Sequence, residues 1–198
     1  MDKKEFNIII CGVGGQGILL ASEILALTAI ESGFDVKKSE VHGMSQRGGS
    51  VFSHVRIGEK VYSPIIEKGK GDILLSLEKA ETLRWVHYLK KDEPLIIMSD
   101  LEIIPPLVSL GITSYPKDVE KMLKDISSKL FIIPAKKISE EVKDIRVLNI
   151  FFLGFLSNFL PFDIKKWEEI IKSKVPENKL EINLNTFIKG KEFIKHFD

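Results

Sequence analysis

EFNIIICGVGGQGILLASEILALTAIESG, residues 5–33, decides the fold of this 198-residue chain. Residues 5–11 are a short apolar, β-branched run of the kind that forms a buried strand. GVGGQG at 12–17 follows as a glycine loop. Residues 18–31 carry no helix breaker and read as a helix that stops at Gly33. Residues 34–41 read as a second strand. The order strand, glycine loop, helix, strand opens a parallel α/β sheet.

Downstream, the pattern departs from a plain repeat. Residues 50–57 alternate Val51, Ser53, Val55 and Ile57 against Phe52, His54 and Arg56, the period of a strand. Gly58-Glu59 suits a two-residue hairpin turn, with residues 60–63 expected to return antiparallel and Pro64 to end them. Residues 72–77, 94–98 and 130–133 read as further strands, 78–89 and 117–127 as helices, and 101–114 as a loop around Pro105-Pro106. From Lys137 on the chain reads as helices punctuated by Pro161 and Pro176. The expected fold is a three-layer α/β/α domain with a mixed, mainly parallel sheet, an inserted β-hairpin and a helical C-terminal part. It is read as a single domain over 1–198, with a sheet core over 1–135 and the helical part over 136–198.

Composition narrows the function. An apolar fraction of 44% and a charged fraction of 29% belong to an ordinary globular protein with a sizeable core. A net charge of +1 gives no basis for a nucleic-acid partner. Cys11 is the only cysteine, so an internal disulfide, a self-contained iron–sulfur cluster and a cysteine-rich zinc site are excluded. No secretory leader pattern is evident. The uncharged stretch 147–162 is short for a membrane span and reads as a buried helix. A cytoplasmic protein without membrane association is expected.

Eleven of the fourteen glycines precede Asp72, which places any chemistry in the front of the chain. Residues 39–58, SEVHGMSQRGGSVFSHVRIG, hold two of the four histidines (His42, His54) and two of the four arginines (Arg47, Arg56) in a tenth of the sequence. Scarce polar side chains among glycines predict a working loop where backbone approaches a ligand or partner. Arg47 and Arg56 are suited to carboxylate or phosphate, or to pairing with local acids such as Glu40 or Glu59.

The loop Gly12, Gly14, Gly15, Gln16, Gly17 fits G-x-G-x-x-G between strand and helix, a setting for phosphate or for a tight crossover without ligand. Glu40, near the end of the second strand, is placed to hold a ribose, although the following loop and hairpin occupy the adenosine region. The GxGGxG of adenylating enzymes is accompanied by arginines and paired CxxC motifs that this chain lacks. Cys11 closes an apolar strand and reads as structural. His42, His54 and Glu40 show no recognised metal-ligand spacing, and Ser45 with His42 lacks a third member. Gly71-Asp72 matches only a fragment of a thiamine-diphosphate motif.

Taken together, GVGGQG (12–17), SEVHGMSQRGGSVFSHVRIG (39–58), GDILLSLEKAETLRWVHYL (71–89), NIFFLGFLSNFLPF (149–162) and KLEINLNTFIKG (179–190) resemble one family. It is the gamma-type subunit family of 2-oxoacid:ferredoxin oxidoreductases, in its indolepyruvate branch. The resemblance covers most of the chain and is weakest over 101–144. It implies a subunit of an enzyme that oxidatively decarboxylates an aryl pyruvate, with coenzyme A as co-substrate and electrons passed to ferredoxin. Thiamine diphosphate, Mg²⁺ and 4Fe–4S clusters are then expected on a larger alpha subunit, and no cofactor on this chain alone. The resemblance names no catalytic residue here. It implies an edge that faces the larger subunit's active site or coenzyme A, built from Gly12, Gly14, Gly15, Gln16, Gly17, Ser45, Gln46, Arg47, Gly48, Gly49, His54 and Arg56. The alternative is a stand-alone Rossmann-like nucleotide-binding module or NAD(P)-dependent oxidoreductase.

Overall fold

A computed structural model of the chain describes residues 5–42, 48–142 and 144–197. Six strands form one sheet in the order β2-β3-β1-β4-β5-β6. They are β1 (Phe6–Val13), β2 (Asp35–His42), β3 (Ser50–Gly58), β4 (Ile73–Ser76), β5 (Leu95–Ser99) and β6 (Leu130–Ile133). The β1–β4, β4–β5 and β5–β6 pairs are parallel, whereas β3 runs antiparallel to both β1 and β2. The sheet is mixed and mainly parallel, as expected.

The period of two along each strand sorts side chains between two apolar layers. Ile8 and Ile10 of β1, Leu75 of β4 and Ile97 of β5 face the layer built on α1 (Ile18–Glu31). Ile9, Cys11, Leu74, Ile96 and Met98 face the opposite layer, under α2 (Lys79–Trp85) and α4 (Val119–Lys124). Within the expected helix 117–127, α4 buries Val119 and Leu123, whereas Met122 and, past its end, Ile126 are exposed.

The remaining helices are α3 (Pro106–Ser109), α5 (Ala135–Val142), α6 (Leu148–Leu156), α7 (Ile164–Lys174) and α8 (Leu180–Glu192). Every residue of α6 is buried. It packs in the α1 layer, and the apolar cluster continues from the sheet through α6 to Trp167 and Phe187. Gly154 of α6 meets the backbone of α8 at Phe187, and Gly190 of α8 meets α6 at Phe151, so the two helices cross almost backbone to backbone. The uncharged stretch around 147–162 is therefore a core helix, and no helix among the described residues is long and apolar enough to cross a membrane.

One expectation is corrected. Residues 60–63 do not return as a strand; the hairpin is instead β2 with β3. Side-chain bonds hold the segment after β3 in place of a ladder: Val61 N–H donates to Asp35 Oδ2 at 2.8 Å, and the Ser63 carbonyl accepts from Arg56 at 3.1 Å. With those groups engaged, Pro64 close behind, and no free strand edge beside β3, residues 60–63 have no ladder to join.

Candidate functional site

The two glycine-rich segments meet at the carboxyl end of β1. Pairing of Gly12 with Val51 and of Val13 with Ser50 brings the start of β3 alongside the glycine loop. Beyond the ladder, Gly14 N–H donates to the Gly49 carbonyl at 2.8 Å and Gly48 N–H to the Gly14 carbonyl at 3.4 Å. Open α/β sheets place ligands at this end of their parallel strands.

Within the loop, Gln16 folds inward. Its Oε1 accepts the Val13 N–H at 2.7 Å and its Nε2 donates to the Leu77 carbonyl at 2.7 Å. A Cβ on Gly12 would lie 2.6 Å from that Oε1 and 2.9 Å from Ile18 Cδ1, so both would have to shift to admit one. Gly17, with φ of +78°, begins α1 while the Asn149 amide of α6 donates to its carbonyl at 3.2 Å. The inner face of the loop is thus filled by the protein's own amides. Gly14 and Gly15 form its outer crest, which stands between two clefts.

The first cleft, about 320 Å³, is lined by Val13, Gly48, Ser50, Glu81, Arg84 and Tyr115 among others. Two buried carboxylates at the start of α2 organise it. Glu78 caps the helix by accepting the Glu81 N–H at 2.8 Å, and its other oxygen takes the Ile103 N–H at 3.1 Å and the Tyr115 hydroxyl at 2.5 Å. Burial, together with the bond to Glu78, raises the Tyr115 pKa and keeps the phenol a donor. Glu81 accepts from the Ser50 hydroxyl, from Trp85 Nε1 at 3.2 Å and from Arg84 Nε at 3.1 Å. The second cleft, about 250 Å³, is more apolar and is lined by Gly14, Gly15, Leu77, Leu101, Ile145 and Phe152 among others. Arg146 at its rim makes a two-pronged pair with Asp144, whose pKa it pulls down to about 2.

Other expected site residues lie elsewhere. Ser45, Gln46 and Arg47 fall outside the described residues. His54 lies mid-strand on the α2 face, 2% exposed, with Nδ1 accepting the Ile66 N–H at 3.2 Å. That bond puts the proton on Nε2, which has no partner among the described residues. Burial lowers the His54 pKa and favours the neutral ring. Arg56 is six strand positions beyond Ser50, about 20 Å away at strand rise. There its guanidinium donates to Asn7 Oδ1 at 2.9 Å and the Ser63 carbonyl at 3.1 Å. The structure therefore gathers Gly12, Gly14, Gly15, Gln16, Gly17, Gly48 and Gly49 into one edge and leaves His54 and Arg56 outside it.

The rival chemistries meet geometric obstacles. Directly paired residues share a face, so Glu40, opposite Ser53, lies on the α1 side, where it bonds Ser22 and Lys38; His54 lies on the other. They cannot ligate one ion. Because β3 separates β2 from β1, Glu40 is also one strand too far from the glycine loop to hold a ribose there. Cys11 Sγ donates to Ser76 Oγ at 3.3 Å, and burial pushes its pKa far up, as suits a structural thiol. Sequence reading passed over Glu78, Glu81, Tyr115 and Asn149. An acidic residue right after an apolar strand with another three positions on was the available signal for the first two. An asparagine at the head of an otherwise apolar helix was the signal for Asn149.

Comparison with known proteins bears on the chain as a whole. The model of the pyruvate ferredoxin/flavodoxin oxidoreductase family matches residues 7–193. The indolepyruvate oxidoreductase subunit IorB of Thermococcus kodakarensis is 39% identical over 193 residues, covering 94% of this chain and 95% of that protein. The gamma subunit of a keto/oxoacid ferredoxin oxidoreductase from Geobacter sulfurreducens superposes with a TM-score of 0.70 at 24% identity, over 94% of this chain and 96% of that one. A 2-oxoglutarate:ferredoxin oxidoreductase from Magnetococcus marinus, solved with 2-oxoglutarate, coenzyme A and succinyl-CoA, gives 0.76 at 22% identity; the match takes in 98% of this chain but 32% of that longer one.

Proposed function

Because the chain belongs to the pyruvate ferredoxin/flavodoxin oxidoreductase family, we propose that it is the smaller, beta subunit of a cytoplasmic indolepyruvate:ferredoxin oxidoreductase and that its glycine edge completes the active site of a larger partner. The observation that carries this reading is the Gly14–Gly49 and Gly48–Gly14 bonding, which fuses two glycine segments into one backbone surface at the carboxyl end of β1. Among the described residues nothing lies within 4 Å of where a Cβ on Gly15 or Gly48 would stand, which suits close approach of another chain or an extended ligand to the backbone.

The residues of this chain do not suit the redox groups. A single cysteine with a raised pKa cannot supply the four thiolates of a 4Fe–4S cluster. Thiamine diphosphate, Mg²⁺ and the clusters are assigned to the larger alpha subunit, which passes electrons to ferredoxin. Thiamine diphosphate supplies the carbanion chemistry of 2-oxoacid decarboxylation. This chain binds, orients and excludes water. Gly14 and Gly15 offer outward backbone. Ser45, Gln46 and Arg47 belong to the sequence between His42 and Gly48. In this reading Arg47 meets a coenzyme A phosphate or a partner carboxylate, whereas Arg56, bonded to Asn7 and Ser63, braces the far end of β3. The substrate assignment rests on the likeness to the indolepyruvate oxidoreductase subunit.

The test is Arg47→Ala in the reconstituted complex. A hydrogen bond to a charged group is worth about 1.5–3 kcal/mol, so the apparent KM for coenzyme A should rise roughly 10- to 100-fold with assembly intact. An unchanged KM and kcat would rule out the anion contact.

A further inference from the structure

Beside the glycine edge stands a hydrogen-bonded apolar loop that the proposed catalytic role does not use. Residues 101–116 close on themselves: Leu110 N–H returns to the Pro106 carbonyl, and the Ile112 and Thr113 N–H groups both return to that of Leu107. Glu78 fastens both ends, through the Ile103 N–H and the Tyr115 hydroxyl. On this braced frame Ile104, Leu107, Leu110 and Ile112 are 48%, 54%, 71% and 66% exposed, and Ile145, across the second cleft, is 58% exposed. Together they expose apolar surface on the order of a few hundred Å², the size of the largest apolar patch on a typical monomer, which is often functional.

We propose that this loop is the docking surface for the larger subunit of the oxidoreductase, an inference that rests on the subunit reading above. Position selects that occupant. Leu107 and Val108 line the first cleft, Ile145 the second, and Ile103 both. A body seated on the loop therefore lies against Gly14, Gly15 and Gly48, where the completed active site is placed. Size points the same way. The patch falls short of the roughly 800 Å² that each partner contributes to a standard interface, so it makes a weak twofold contact by itself. A large partner that spans the apolar loop and the polar glycine edge reaches that area. In the Magnetococcus marinus chain the same fold is 32% of a longer polypeptide, so there it is joined to further structure.

The experiment uses the full chain co-produced with the larger subunit, identified by its thiamine diphosphate content and iron–sulfur absorbance. Leu107→Glu and Leu110→Glu are made separately, with Ile30→Glu, an exposed position on α1, as control. Each isolated variant should keep the wild-type Tm within a degree or two. The two loop variants should weaken association with the larger subunit at least tenfold, while the control associates like wild type. If both loop variants assemble normally, the docking surface is wrong and the subunit reading stands. If light scattering shows a wild-type dimer that Leu110→Glu makes monomeric while the mixed complex persists, the loop is a self-contact and the proposal is overturned. If the wild-type chain holds no larger subunit, the subunit reading fails and this inference with it.

Discussion

Gly17 and His54 show how single residues are constrained on either side of β3. A Cβ on Gly17 would lie 2.5 Å from Asn149 Nδ2, and φ of +78° strains any other residue. Gly17→Ala should cost about 2–4 kcal/mol, the sum of left-handed strain and overpacking. Thermal denaturation should show Tm falling by roughly 4–15 °C at this chain length. His54 makes a pH prediction. Burial holds its folded pKa below the unfolded 6.5, so the unfolded state takes up the proton first. Its contribution is fully present above pH 6.5 and is lost as pH falls through 6.5 toward the folded value. His54→Asn, which keeps an acceptor for the Ile66 N–H, should flatten the Tm profile between pH 7.5 and 5.5. A profile identical to wild type would show that His54 does not titrate on unfolding. At this scale the sequence was legible where backbone rules speak, as at Gly17. It was not where a rare side chain was taken for a functional one. Whether a histidine on a strand is buried depends on what packs over it, here Phe52 and Tyr88, and that is a tertiary fact.

Between elements, two contacts hold the edge in place. The α6–α8 crossing leaves no room for a side chain, since a Cβ at Gly154 would be 2.0 Å from the Phe187 carbonyl oxygen and one at Gly190 2.0 Å from that of Phe151. Gly154→Ala must push the helices apart and, through Asn149 on α6, shift the loop at Gly17. Near-UV dichroism of the packed aromatics should weaken and stability should drop by about 3 kcal/mol or more. Glu78 is the second contact. Removing it as Glu78→Ala leaves three donors without their acceptor: the buried Glu81 N–H, at about 1–3 kcal/mol, and the half-buried Ile103 N–H and Tyr115 hydroxyl, at less. Amide exchange at Ile103 should then accelerate sharply, while β1 and β5 amides change only with global stability. Equal protection at Ile103 would show that the loop is held by something else. Although the short α3 lies in a stretch read as loop, the six strands and the helices α1, α2 and α4 were legible in order, down to the bounds of β6. The insertion of β3 between β1 and β2 was not, because alternation reports that a residue run is a strand and says nothing of its neighbour. The same limit produced the expected return strand at 60–63: Gly58-Glu59 has turn chemistry, but Asp35 and Arg56 claim the groups a ladder would need.

At the scale of the molecule, a deep core lies under one worked edge. The edge combines a plugged glycine loop, one cleft braced by two carboxylates, a second more apolar cleft and a protruding apolar loop, and a single buried thiol cannot supply the four thiolates of an iron–sulfur cluster. That combination suits a subunit that shapes another protein's active site. The measurement that tests this most directly is ferredoxin reduction driven by indolepyruvate and coenzyme A, run with the purified chain, with the purified larger subunit, and with the two mixed. The account predicts no turnover by this chain alone and coenzyme A-dependent turnover on mixing, with the rate rising until the subunits reach fixed proportion. Ferredoxin reduction by this chain alone, or full coenzyme A-dependent activity of the larger subunit without it, would contradict the account.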